Sequence, residues 1–306
     1  MKTSAVQPAD ISRSVFAVPP LAMSADLSVN AAQNKALIRH IEAGGVSTLL
    51  YGGNANIYNL TIDGFCQMLD ILEDSAAPES WVIPAIGPDF GKMIDQAKIL
   101  RNRAFPTTLT LPTTTAIHPA GVEAGLRRAA DVMGKPLLVY AKGEGYLTPA
   151  QLGSLARDGV ICAIKYAIDR KDPLQDPFLT ELVQQVDRSL IVSGMGERPA
   201  LAHLQHFKLA GYTSGLVCLI PAVSQAFLKA AQAGDFAHAQ ALMQRFFPLE
   251  NAREKYGFIR VLHGLVRLSG IADTGPILPL LADMSAAEEA ELAPMLEDLL
   301  AKEPRN

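Results

Sequence analysis

The heptapeptide Val160–Tyr166, VICAIKY, sets one lysine inside a run of apolar and β-branched side chains. Apart from Lys165 it reads as a strand covered on both faces, which is how strands of a parallel sheet wrapped by helices read. The same kind of run recurs on either side. Toward the C-terminus come Ser189–Gly194 (SLIVSG) and Ser214–Ile220 (SGLVCLI). Toward the N-terminus come Pro136–Ala141 (PLLVYA), Phe105–Pro112 (FPTTLTLP), Trp81–Gly87 (WVIPAIG), Val46–Gly53 (VSTLLYGG) and Val15–Pro20.

The stretches between these runs are mostly long enough for a crossover helix. Ala31–Ala43 closes with Gly44–Gly45, and Pro149–Arg157, Asp176–Val186 and Pro199–Ala210 carry apolar residues at helical spacing. Eight such units argue for an α/β protein of the (β/α)8 TIM-barrel class rather than an open doubly wound sheet. A Rossmann arrangement is the alternative, but no Gly-x-Gly-x-x-Gly follows the first run. Beyond residue 221 the strand signal stops. Ser224–Ala233, Phe236–Leu249, Ala252–Ser269 and Ala286–Ala301 read as helices, with Asp235 as an N-cap and Ser285 with Glu288 as a capping box. The expected organisation is a catalytic barrel over 12–232 and a C-terminal helical domain over 233–306, frayed at Glu303–Asn306.

Composition narrows the function classes. Of 306 residues, 49% are hydrophobic and 19% charged, enough for a large core, and the net charge of −4 lacks the basic footprint of a nucleic-acid binder. Cys66, Cys162 and Cys218 are odd in number and widely spaced, which fits a reducing compartment better than a disulfide framework or a zinc site. Met1–Ser12 has no apolar core of a signal peptide, and no apolar run approaches a bilayer span. A cytoplasmic protein without membrane or nucleic-acid partners is expected.

In such a barrel the active site lies at the C-terminal ends of the strands. Lys165 ends the sixth run. Burial disfavours its ammonium form, and the free amine can attack a ketone to give an imine that acts as an electron sink. Tyr140 ends the fifth run, so it should stand beside Lys165 at about the same height, where its hydroxyl can relay protons. After the second run, Gly52, Gly53 and Asn54 allow backbone N–H groups to cradle a carboxylate. After the seventh, Gly194 and Gly196 permit close approach of a ligand. Glu197–Arg198 reads as a helix cap in solvent, and phosphate binding there is conceivable. His203 and His206 read as two surface histidines rather than metal ligands. Glu250, Arg253, Glu254 and Lys255 read as a solvated helical face.

Together these residues resemble the dihydrodipicolinate synthase/N-acetylneuraminate lyase family of class I (Schiff-base) aldolases, over most of the chain from about Val15. The resemblance is carried by Pro19–Pro20, the Gly52–Gly53 turn, Tyr140, Ile164–Lys165, Ser193–Gly194, and Asp273–Thr274–Gly275–Pro276 followed by Leu278–Pro279–Leu280. The spacing between Tyr140 and Lys165 is its most specific feature. It implies a homotetramer (a dimer of dimers) and a pyruvate-related 2-oxo acid held as an imine on Lys165. It also implies Tyr140 as acid/base, the Gly53–Asn54 backbone on the carboxylate, and no metal or organic cofactor. The sequence departs from the family in three places. The family's usual Gly-Thr-Thr-Gly-Glu is here Gly52–Gly53–Asn54–Ala55–Asn56, which removes the relay hydroxyl at Gly53. The synthase subgroup's arginine after the tyrosine is replaced by Gly143–Glu144–Gly145, whose charge should repel a distal carboxylate. Its tyrosine after strand four is replaced by Pro112–Thr113–Thr114–Thr115. These departures favour a lyase, by retro-aldol cleavage or dehydration of a sugar-derived 2-oxo acid, over a synthase condensing pyruvate with aspartate semialdehyde. A catalytically silent 2-oxo acid sensor is a third expectation, and a flavin- or phosphate-dependent barrel enzyme a fourth.

Overall fold

The computed structural model describes residues 1–301, so the tail at Glu303–Asn306 lies outside the described residues. Eight strands follow one another in chain order as a closed barrel. They are β1 (Phe16–Ala17), β2 (Thr48–Tyr51), β3 (Trp81–Ile86), β4 (Leu109–Thr110), β5 (Leu137–Ala141), β6 (Ile161–Tyr166), β7 (Ile191–Ser193) and β8 (Gly211–Ser214). The (β/α)8 class and the helical C-terminal part expected from the sequence are thus the observed architecture.

Two runs read differently in three dimensions. The fourth, FPTTLTLP, pairs only at Leu109–Thr110. Its threonines are buried because their hydroxyls find carbonyls: Thr107 Oγ1 donates to Pro136 O (2.7 Å) and Thr108 Oγ1 to Pro84 O (2.6 Å). The eighth strand lies earlier than expected, at Gly211–Ser214. The apolar stretch after it turns into a 3-10 helix at Leu216–Cys218 instead of continuing extended. Ser214 Oγ stops the strand by accepting the Val217 N–H at 3.0 Å.

By compactness the chain divides into two units. One comprises Lys2–Arg13 and Ile83–Thr213. Within it the ladders from β3 through β8 are all parallel. Its helices Pro149–Arg157 and Pro177–Gln185 begin with proline at the first turn, where no N–H is needed, behind the caps Thr148 and Asp176.

The other unit comprises Met1, Ser14–Val82 and the chain from Ser214 onward. Here β1 pairs with β2, and Val18 N–H donates to Ser214 O at 2.8 Å. The buried Phe16 ring meets Trp81 edge-on at 5.5 Å, a geometry that adds about 0.5–1.5 kcal/mol beyond area burial. Its C-terminal helices are Pro221–Gln232, Phe236–Met243, Phe247–Tyr256, Phe258–Leu268 and Ala286–Leu300. The caps read at Asp235 and at Ser285 with Glu288 are present as hydrogen bonds.

The two long helices expected over 236–249 and 252–269 are instead three. Pro248 opens a new helix in its first turn, and Gly257 breaks the pattern at φ 102°, a conformation that side chains resist. Gly257→Ala is therefore expected to lower stability by about 1–3 kcal/mol, read as a shift of the urea midpoint at unchanged slope.

Candidate active site

The parallel register of β5 and β6 pairs Tyr140 with Lys165, and that of β6 and β7 pairs Lys165 with Val192. Residues paired in adjacent strands share a face, so these three side chains project to the same side. That side is identified by the next residue. Tyr166, one step on and hence on the opposite face, sends its hydroxyl to Asp176, the N-cap of the helix Pro177–Gln185. Tyr166 therefore faces the helical layer and Lys165 the barrel interior. Lys165 is 6% exposed and Tyr140 9%, and the lysine Nζ stands 4.1 Å from the centroid of the tyrosine ring. A cation at that distance is attracted by the ring face, which holds the amine beside the phenol.

Gly194 shapes the space around the lysine. A Cβ there would meet Lys165 Cγ and Ala167 Cβ at 2.9 Å and Tyr166 O at 2.7 Å. Its own N–H donates to Tyr166 O at 2.6 Å. The glycine expected to admit a ligand thus also makes room for the methylene stem of Lys165.

The outer face of β6 is tied down by charge. Asp176 is fully buried. It accepts from the Tyr166 hydroxyl and the Leu179 N–H (3.0 Å), and it forms an ion pair with Arg170, whose Nε lies 3.2 Å away. Burial, reinforced by the Asp176 carboxylate, pushes the Tyr166 phenol up, so it remains a donor. Arg170 also pairs with Glu144, joining the loops that follow β5 and β6. The Glu144 charge expected to repel a distal carboxylate thus shares this one guanidinium with Asp176. Asp176 stands immediately before Pro177, a cap signal that was legible. Nothing in the sequence signalled that it would also gather Tyr166 and Arg170.

Three expectations about polar residues are corrected. Glu197 is buried, not in solvent, while Arg198 is exposed. His203 is also buried, with only His206 exposed. The chain widens into a π-helical turn at His203–Phe207, and Ser193 Oγ meets His203 Nδ1 at 2.9 Å. Glu250 and Arg253 are each 4% exposed and neutralise one another at 2.7 Å, so this part of the expected solvated face turns inward. The helical pattern concealed this because an i,i+3 ion pair looks alike in the core and in water.

In the unit that contains β1 and β2, the turn Gly53–Ala55 follows β2 as one 3-10 turn. It ends at Asn56 in the left-handed region (φ 53°), whose N–H returns to Gly53 O at 2.9 Å. Asn54 Nδ2 donates to Val18 O, and the Asn54 carbonyl meets His263 Nε2, both at 2.9 Å. The Tyr58 hydroxyl stands 3.5 Å from the position a Cβ at Gly53 would take, so a phenol occupies the neighbourhood of the missing relay hydroxyl. Burial holds that phenol above its ordinary range and keeps it protonated. Among the described residues no group of three or more His, Cys, Asp or Glu is placed to hold a metal, and no helix is long and apolar enough to cross a membrane.

A closed parallel barrel with a buried lysine and a tyrosine side by side near the ends of β6 and β5 has the makings of a class I lyase. Comparison with known proteins agrees. The model of the dihydrodipicolinate synthetase family matches residues 12–298. A probable 5-dehydro-4-deoxyglucarate dehydratase of Streptomyces coelicolor is 25% identical over 289 residues, covering 92% of this chain and 88% of that one. A counterpart in Rhizobium meliloti is 24% identical, covering 85% and 87%. Among solved structures, dihydrodipicolinate synthase from Cyanidioschyzon merolae with lysine bound superposes with a TM-score of 0.84 at 18% identity, covering 94% and 98%. A prophage protein of the dihydrodipicolinic acid synthase family from E. coli K12, in complex with pyruvate, gives 0.80 at 21%, covering 93% and 98%. The chain belongs to the dihydrodipicolinate synthetase family and is an enzyme of the class I lyase type.

Two outcomes follow from this geometry. Gly194→Ala should lower stability by about 1–3 kcal/mol, read as a shift of the urea midpoint, because its Cβ collides with Tyr166 O, Ala167 and the lysine stem. Burial holds His203 and His263 down to about 4, whereas in the unfolded chain they take up protons near 6.5. Between those values the unfolded chain binds more protons, so stability should fall as pH drops from about 6.5 toward 4. Denaturant titrations at several pH values should show the slope, and His203→Gln should flatten it.

Proposed function

We propose that the protein is a Schiff-base lyase that dehydrates a sugar-derived 2-oxo acid through an imine on Lys165. The observation that carries this reading is the in-register pair of Tyr140 and Lys165, both buried, with the lysine amine against the tyrosine ring.

The Lys165 amine adds to the C2 carbonyl of the substrate. The carbinolamine then loses its oxygen as water to leave the imine, with the Tyr140 hydroxyl passing the protons. Loss of a C3 proton puts the electron pair into an enamine. The enamine expels the C4 hydroxyl, which leaves as a second water. Hydrolysis of the resulting unsaturated imine returns the free lysine and the dehydrated oxo acid.

Dehydration is favoured over retro-aldol cleavage because the curated relatives are named as dehydratases of a dehydro-deoxy sugar diacid. The Glu144 carboxylate in the loop after β5 is not left bare, because it pairs with Arg170, which it shares with Asp176. We assign the substrate carboxylate to the turn Gly52–Gly53–Asn54 and close approach of the substrate to Gly194. The same reading takes the barrel at 12–232 as the catalytic part and 233–306 as its helical companion. It describes a cytoplasmic homotetramer, a dimer of dimers, that takes a small 2-oxo acid and needs neither metal nor organic cofactor.

Borohydride added with pyruvate should leave a reduced adduct that peptide mapping places on Lys165. Lys165→Ala should fold but form no adduct; trapping or turnover by that variant would sink the mechanism. Tyr140→Phe should slow turnover by a factor on the order of a hundred. An unchanged rate would move the proton relay to another group.

A further inference from the structure

Two lysines stand at the ring of Tyr140. Lys165 Nζ lies 4.1 Å from its centroid, and Lys142 Nζ lies 6.0 Å from it. The second lysine has no part in the mechanism above. It directly follows β5 and comes two residues after Tyr140. Side chains two apart along a strand leave by the same face, so Lys142 rises on the side that Tyr140 and Lys165 share. Its place just past the C-terminal end of β5 puts it where barrel enzymes meet their substrates. All three residues belong to the same compact unit.

The two lysines are held differently. Lys165 is buried, whereas Lys142 is exposed. At 6.0 Å a ring attracts a cation only weakly, so Tyr140 marks where Lys142 stands and leaves its three N–H donors to another partner. Among the described residues Lys142 forms no ion pair. Glu144, the acidic residue of its own loop, pairs instead with Arg170, which also answers Asp176. The ammonium beside the catalytic pair is therefore not neutralised within the protein. A single compact ammonium matches one negative charge, which suits a carboxylate better than a phosphate dianion.

We propose that Lys142 binds the far carboxylate of a six-carbon 2-oxo diacid and so sets the preference of the enzyme for a charged tail. The proposal rests on the reading that C2 of the substrate is held as an imine on Lys165. Chain length agrees with it. In an extended six-carbon diacid the far carboxylate oxygens stand about 7 Å from the imine nitrogen, and a hydrogen bond adds about 3 Å. The separation of the two lysine nitrogens cannot exceed the sum of their distances to the shared ring, 4.1 Å and 6.0 Å, which is about that same length. A six-carbon chain is thus long enough to reach Lys142 wherever it stands within that limit. Pyruvate, which ends at its methyl group, forms the imine and falls short of the second lysine.

The test reads half-saturation of borohydride trapping by two ketones of equal length, 2-oxoadipate and 2-oxohexanoate, which differ only in the far carboxylate. The wild type should take 2-oxoadipate at a concentration about tenfold lower. Added salt should shrink that preference, because Lys142 is exposed. Lys142→Gln should abolish the preference, Lys142→Glu should reverse it, and Lys142→Arg, which keeps the charge, should retain it. Equal half-saturation by the two ketones in the wild type would overturn the proposal. So would a preference that survives in folded Lys142→Gln. A Lys142→Gln protein that loses both ketones alike would overturn it too, by placing the near carboxylate on this lysine. Calorimetry with 2-hydroxyadipate, which cannot form an imine, separates the two readings. Binding that weakens in Lys142→Gln, with no adduct from either ketone, supports the far contact and defeats the imine. An adduct on Lys165 from both ketones, with 2-hydroxyadipate binding indifferent to Lys142→Gln, defeats the far contact alone.

Discussion

An amine buried at the end of a strand must be held by its neighbours, and much of the structure around β6 answers to that constraint. Lys165 is almost wholly buried, a setting in which a polar side chain has to find partners within the protein. The Tyr140 ring, with its centroid 4.1 Å from the amine, offers an attraction to its charged form. Gly194 leaves the stem of the lysine unobstructed. Behind the strand, Asp176 takes the Tyr166 hydroxyl, caps a helix and binds Arg170. The residue after the lysine is therefore anchored while the lysine itself faces the interior. Loss of Asp176 would leave a buried donor unmatched and loosen the strand end, an effect that reaches Lys165 through the backbone.

The C-terminal helices follow a related logic. Glu250 and Arg253 form a buried ion pair, an arrangement whose desolvation cost roughly cancels its Coulombic gain. Such a pair is weak as a stabilising device. Removing one partner, however, costs about 3–5 kcal/mol because the other is left charged and buried. What the pair achieves is placement. It aims one guanidinium nitrogen at Gly215, while His263 from the next helix fixes the carbonyl of Asn54. The helical part thereby supports the turn after β2.

The family resemblance and the departures from it find a physical counterpart here. Gly53 lacks a hydroxyl, but a buried and protonated phenol, Tyr58, stands next to it. Glu144 occupies a loop where a cation was absent, but Arg170, from the loop after β6, pairs with it while also answering Asp176. Both compensations come from residues that sequence spacing alone does not connect.

By itself the sequence determined the class of fold and the central pair of residues. Short runs apolar on both faces, separated by crossover lengths, leave few alternatives to a wrapped parallel barrel. The single lysine in VICAIKY and the tyrosine in PLLVYA stood out because strand periodicity makes a polar residue in such a run conspicuous. Caps at Asp235 and Ser285 were legible for the same local reason: their hydrogen bonds span three residues. The burial of Glu197, His203, Glu250 and Arg253 was not legible, nor were the early position of β8 and the break at Gly257. Whether a charged residue on a helix faces water or the core depends on the partners that other elements bring to it. Asp176 gathers Tyr166 and Arg170, and Gly215 admits Arg253 beside Asn54, only once the chain has closed on itself. Tertiary structure decided those contacts because long-range pairing leaves no periodic trace in the residues that make it.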